Sequence, residues 1–99
     1  MADDAQTHVI QNPRTGRFEL AGAPDGAYLE YRQAGNHLTL THTEVDDELE
    51  GQGVGSVLVR EALAQARDEN LTVVPECGFV AGWLERHPER AAELDIASP

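Results

Sequence analysis

The chain has 99 residues and carries 18 Asp and Glu against seven arginines, with no lysine, for a formal net charge of −11. Such a surface repels nucleic acid and anionic lipid, which excludes polynucleotide and membrane-surface binders; cationic substrates such as amines, or solubility alone, account for the acidity. At this length one domain over residues 1–99 is expected, with an ordered core over about 7–95 built mainly of Val, Leu and Ala.

The opening MADDAQTHVI has neither the basic region nor the apolar run of a secretory signal or a membrane span, so a cytoplasmic protein is expected. Four short segments follow, at residues 8–11, 17–21, 28–33 and 37–45. They are separated by turn chemistry at Asn12-Pro13-Arg14-Thr15-Gly16, Ala23-Pro24-Asp25-Gly26 and Ala34-Gly35-Asn36. Four antiparallel strands joined by hairpins are the simplest reading. Period-2 alternation in the last strand places Leu38, Leu40, His42 and Glu44 on one face, and His37, Thr39, Thr41, Thr43 and Val45 on the other. His42 and Glu44 are thus expected to extend the apolar face.

Over residues 54–69 the period becomes helical: Leu58, Val59, Ala62, Leu63 and Ala66 share a face opposite Ser56, Arg60, Arg67 and Asp68. Asn70 is a helix stop, residues 71–74 read as a buried strand ended by Pro75, and strand–helix–strand order favours parallel pairing. Residues 77–86 form a second amphipathic helix through Phe79, Val80, Trp83 and Leu84, and a short helix over 88–94 follows. Only the first six and last four residues read as disordered. The fold class is α/β (α+β): four antiparallel strands, a helix, a parallel fifth strand and C-terminal helices.

Between the fourth strand and the first helix stand Gly51, Gly53 and Gly55. A helix start offers unpaired N–H groups and the positive end of the dipole, so a phosphate can approach a backbone without Cβ atoms; a tight strand-to-helix turn explains the glycines equally well. A Walker A loop is excluded because there is no lysine. A dinucleotide fingerprint is excluded by Ser56 at the third glycine position and by the antiparallel strands before it; Glu76 alone does not restore it.

The stretch ELEGQGVGSVLVREALAQA resembles the coenzyme A-binding motif Gln/Arg-x-x-Gly-x-Gly/Ala of the GNAT superfamily of N-acetyltransferases, with Glu50 departing at the first position. Over residues 7–95 the chain is similar to very small single-domain members of that superfamily. They share HTEV, Glu-Leu-x-Gly-x-Gly-x-Gly, VVPEC-x-FV and W-x-x-x-HPE. The resemblance implies acetyl-CoA bound in a splay between the strand ending at Val45 and the strand over 71–74, its pyrophosphate on Gly51, Gln52, Gly53, Val54, Gly55 and Ser56. Arg60, one turn further, reads as a phosphate contact or a solvated arginine. A non-catalytic coenzyme A or acyl-CoA-binding module is the alternative.

Transfer of an acetyl group to an amine needs a proton acceptor for the amine and an acid for the departing thiolate. Many relatives use a tyrosine as that acid. Here Tyr28 and Tyr31 precede the glycines and Phe79 stands where the tyrosine would be sought. Cys77, the only cysteine, lies at a helix start that favours thiolate character; it reads as acid, nucleophile or an inert buried residue. His42 and Glu44 are the candidate bases, with a hydrogen-bonded core histidine as the other reading of His42. No metal is expected, since the histidines and Cys77 have no zinc spacing, and a lone cysteine forms no internal disulfide. Only the turn over 12–16 separates the first two strands, which implies an open acceptor site suited to a protein, peptide or polyamine amine. A monomer is the simpler expectation.

Overall fold

A computed structural model of the chain describes residues 8–23 and 25–98, and the expectation for the first six residues lies outside them. The first four strands, β1 (Val9–Asn12), β2 (Arg17–Leu20), β3 (Ala27–Ala34) and β4 (His37–Val45), form an antiparallel meander. Their alternation puts Phe18, Leu20, Ala27, Leu29, Leu38 and Leu40 into one core, each at most 5% exposed. The β1–β2 turn closes because the Asn12 side chain accepts the Arg14 N–H at 3.0 Å and Gly16 takes φ +71°. That positive φ is where glycine costs least.

Helix α1 (Val54–Asp68) lies across the sheet and buries seven residues, among them Leu58, Val59, Ala62 and Leu63. Burying each of the larger side chains contributes about 1.5–3 kcal/mol, so this stripe fixes the helix to the sheet. Asn70 ends the helix as expected: it takes φ 58°, its N–H bonds the Arg67 carbonyl, and the Leu71 N–H bonds the Ala66 carbonyl at 2.8 Å. This is a left-handed cap of the kind asparagine tolerates.

The chain then returns through β5 (Thr72–Pro75), parallel to β4, into α2 (Gly78–Arg86) and the one-turn α3 (Pro88–Ala91). Helix α2 touches α1, β4 and β5, so the helices share the core face of the sheet. Residues on the other face, such as Glu19, Tyr28, Glu30 and Thr39, are only partly buried.

A short sixth strand, β6 (Asp95–Ile96), adds a second parallel pair beside β5. The expectation of disorder over the last four residues is corrected here for Ile96 and Ala97, because Ile96 pairs with Val73 and the Ala97 N–H bonds the Val73 carbonyl at 2.9 Å; Pro99 lies outside the described residues. Two residues are too few to show a period.

The other correction concerns β4. Glu30 pairs with His42 but Tyr31 pairs with Leu40, so Thr41 is an extra residue, a bulge. A bulge resets the alternation. Leu38 and Leu40 face the core before it. Beyond it Thr43 and Val45 do so, opposite the fully buried Leu29 and Ala27. His42 and Glu44 therefore turn to the open face, their side chains 53% and 51% exposed, and do not extend the apolar face.

Candidate functional site

Pairing between β4 and β5 stops at Leu40 and Pro75. Proline has no N–H to continue a ladder. The Cys77 N–H instead bonds the Leu40 carbonyl at 3.0 Å and the chain turns into α2, so the edge of β4 over residues 41–45 has no neighbouring strand. The splay opens into a cleft of about 470 Å³ whose walls include Thr43, Val45, Gly51, Gly53, Ser56 and Phe79.

The start of α1 forms one end of that cleft. Gly53 caps the helix at φ 76° and no side chain caps it; the first helical bond runs from the Val57 N–H to the Gly53 carbonyl. The N–H groups of Val54, Gly55 and Ser56 thus have no bond within the helix and point, with the dipole, toward the cleft. A Cβ on Gly53 would meet nothing within 4 Å, so the space beside it is open to a ligand. Gly55 is small for another reason. A Cβ there would lie 3.0 Å from the Phe79 ring.

The other end holds Cys77 and Thr43. Cys77 caps α2, is 8% exposed, and has its Sγ 3.4 Å from the Thr43 hydroxyl. Thr43 borders the cleft, so it connects the thiol to it. On the opposite side of β4, His42 Nε2 sits 2.8 Å from a carboxylate oxygen of Glu44, and of these two only Glu44 borders the cleft.

Of the residues singled out for the cofactor, Val45, Gly51, Gly53, Val54, Gly55 and Ser56 line the cleft together, while Gln52 turns away and donates to the Glu48 carbonyl at 3.2 Å. Thr43 escapes sequence reasoning because a straight count puts it on the wrong face, and Phe79 reads from sequence as a helix-face residue and as the absence of a tyrosine, not as a wall of the cleft. Leu49 and Glu50 also border the cleft, from the turn that precedes the glycines. Among the described residues no three His, Cys, Asp or Glu side chains gather as a metal site.

A glycine-capped helix start beside a splayed parallel pair is matched by sequence: residues 17–94 fit the profile of the GCN5-related N-acetyltransferases. The chain belongs to that family. Its fold is also similar to the solution structure of a GCN5-like candidate N-acetyltransferase from Staphylococcus aureus, at 27% identity and a TM-score of 0.70 over 95% of this chain and 91% of that one. No curated protein matches the sequence. Members of this acetyltransferase family generally use acetyl-CoA as co-substrate and act on amines. The residues present fit it: free N–H groups suit a pyrophosphate, and an unpaired strand edge suits an amide-bearing arm.

Proposed function

We propose that this acetyltransferase moves an acetyl group from acetyl-CoA to an exposed amine of a protein, peptide or polyamine, as a single domain acting in the cytoplasm. The observation that carries the reading is the cleft itself, which runs from three free N–H groups at the start of α1 to the Thr43–Cys77 pair where β4 and β5 part. Backbone donors hold a phosphate regardless of net charge, which lets a chain at −11 take an anionic co-substrate. The same acidity favours a cationic acceptor at the open rim, beside Glu44 and Glu50.

Acetyl-CoA supplies the activated acyl group. The chain supplies the two proton positions. At the rim, the Glu44 carboxylate takes the proton of the incoming ammonium and shares it with His42 across their 2.8 Å contact. At the foot of the splay, Cys77 is the proton donor to the leaving thiolate, with the Thr43 hydroxyl as the link. An acid acting through a neighbouring hydroxyl suits a thiol that is 8% exposed better than a nucleophile, which needs direct access. Cytoplasmic placement rests on the single unpaired thiol, and among the described residues no helix is long and apolar enough to cross a membrane.

The test is turnover. Protein and acetyl-CoA are incubated with spermidine, a lysine-containing peptide and a peptide with a free N-terminus, and products are read by mass. Acetylation of any of these amines in excess of an uncatalysed control is the expected result. Coenzyme A raising the thermal midpoint with no acceptor modified would reduce the site to a binding module. No thermal shift at all would remove the cleft as a coenzyme site.

A further inference from the structure

Three of the seven arginines meet away from the cleft. Arg60 and Arg67 on α1 and Arg90 on α3 line a crevice between the helices, whose floor includes Trp83 of α2. In a chain with net charge −11, this crevice gathers three positive side chains against Glu93 alone. Arg67 is committed: it bonds Glu93 at 3.1 Å and Asp68 at 3.3 Å, contacts that raise its pKa further. Arg60 touches only its neighbour Glu61, loosely at 3.8 Å, and Arg90 forms no ion pair among the described residues.

A second observation is independent of charge. Trp83 is 3% exposed, yet its Nε1–H has no hydrogen-bond partner among the described residues. Leaving such a buried donor unmet is costly, and native proteins rarely tolerate it without a reason. A ligand enters the crevice by one atom and keeps the rest at its mouth, because the whole crevice holds about 10 Å³. That is close to the room one oxygen atom occupies.

We propose that this crevice is a second anion site, which takes a phosphate group with one oxygen toward the Trp83 Nε1–H and the others on the guanidinium groups of Arg60 and Arg90. Planar guanidinium groups bind phosphate through two parallel N–H bonds, and a buried indole donor adds a contact that chloride matches poorly. Two sources carry this chemistry. One is free phosphate. The other is the nucleotide-end phosphate of coenzyme A, because Ser56 and Arg60 are one turn apart on α1, as are Phe79 and Trp83 on α2, so the cleft and the crevice adjoin along the same two helices. Only the coenzyme source rests on the proposed function.

Trp83 is the only tryptophan and so reports on its own site. The probe is inorganic phosphate, titrated at ionic strength held constant with chloride, with indole emission as readout. A saturable change at millimolar phosphate is expected, weakened about fivefold or more in Arg90→Gln and in Arg60→Gln and unchanged in Arg14→Gln, a remote exposed arginine. Thermal shift by phosphate, lost in Trp83→Phe, tests the indole donor where emission is unavailable; because Trp83 is buried, the surface variant Arg90→Gln decides the matter if Trp83→Phe does not fold. Gly53→Val should leave the phosphate response intact, which separates this site from the cleft. Competition by coenzyme A but not by dephospho-coenzyme A identifies the coenzyme as source, and competition by neither identifies free phosphate. An identical emission change with chloride alone, no saturation, or phosphate affinity in both arginine variants equal to that of the parent protein would overturn the proposal.

Discussion

The two halves of β4 are made of similar residues and do different work. Residues 37–40 are paired on both sides, by β3 and β5, and bury Leu38 and Leu40 to 1% exposure or less. Residues 41–45 keep β3 but lose β5, and Thr43, Glu44 and Val45 among them line a cleft. The division comes from one extra residue, Thr41, and one missing donor, at Pro75. The cleft here is a strand whose ladder has been stopped, with the freed edge left without a partner strand.

The largest effect should come from the paired half. Leu40→Ala removes a fully buried side chain and should cost about 2–5 kcal/mol of unfolding free energy by denaturant titration. Thr43→Ala, on the splayed half, should cost under about 1 kcal/mol. Equal losses would show that the halves do not differ as drawn.

Next comes the thiol at the point of division. Cys77→Ala should slow transfer by about 100-fold, in the usual range for a lost general acid, and Cys77→Ser should recover part of that. Protein mixed with acetyl-CoA without acceptor should show no added acetyl mass. A stable adduct abolished by Cys77→Ala would make Cys77 a nucleophile and reverse its assigned role.

Smaller again is the change at the helix start. Gly53→Val places a side chain at φ 76° and in the open space beside the free N–H groups, so strain of about 1–2 kcal/mol and a roughly tenfold loss of coenzyme A affinity are expected together. Gly55→Ala should act less, because the exposed end of Phe79 can move from the new methyl group. Isothermal titration of both variants distinguishes an open approach from a packing contact. If Gly55→Ala costs the more affinity, the N–H groups beside Phe79 matter more than the cap.

These comparisons also show what the sequence reveals and what it hides. The meander, the long helix, the Asn70 stop and the parallel return are legible because each has a local cause: turn residues, a helical period, a residue that tolerates positive φ, a proline. The glycine loop is legible by its spacing. The bulge at Thr41 is not, since threonine at that point fits either register and only the pairing of Tyr31 with Leu40 discloses the extra residue. It alone moved His42 and Glu44 to the open face and brought Thr43 to Cys77. The meeting of Arg60 and Arg90 is hidden for a related reason: they are 30 positions apart and joined only by how α3 folds back on α1.

The smallest effect on stability belongs to the open face, and it tests the bulge most directly. His42→Ala should change unfolding free energy by no more than about 0.5 kcal/mol, because a half-exposed histidine paired with an exposed carboxylate buries little. A loss above about 2 kcal/mol would mean that His42 packs in the core, as an unbroken alternation requires. Its effect on rate should be larger than its effect on stability: about tenfold at most, since Glu44 at the rim still accepts a proton. Glu44→Gln should lose more, and the double variant no more than Glu44→Gln alone, because His42 is proposed to act through Glu44. If the two losses multiply, the histidine meets the amine on its own, and the 2.8 Å contact is a feature of the resting site only.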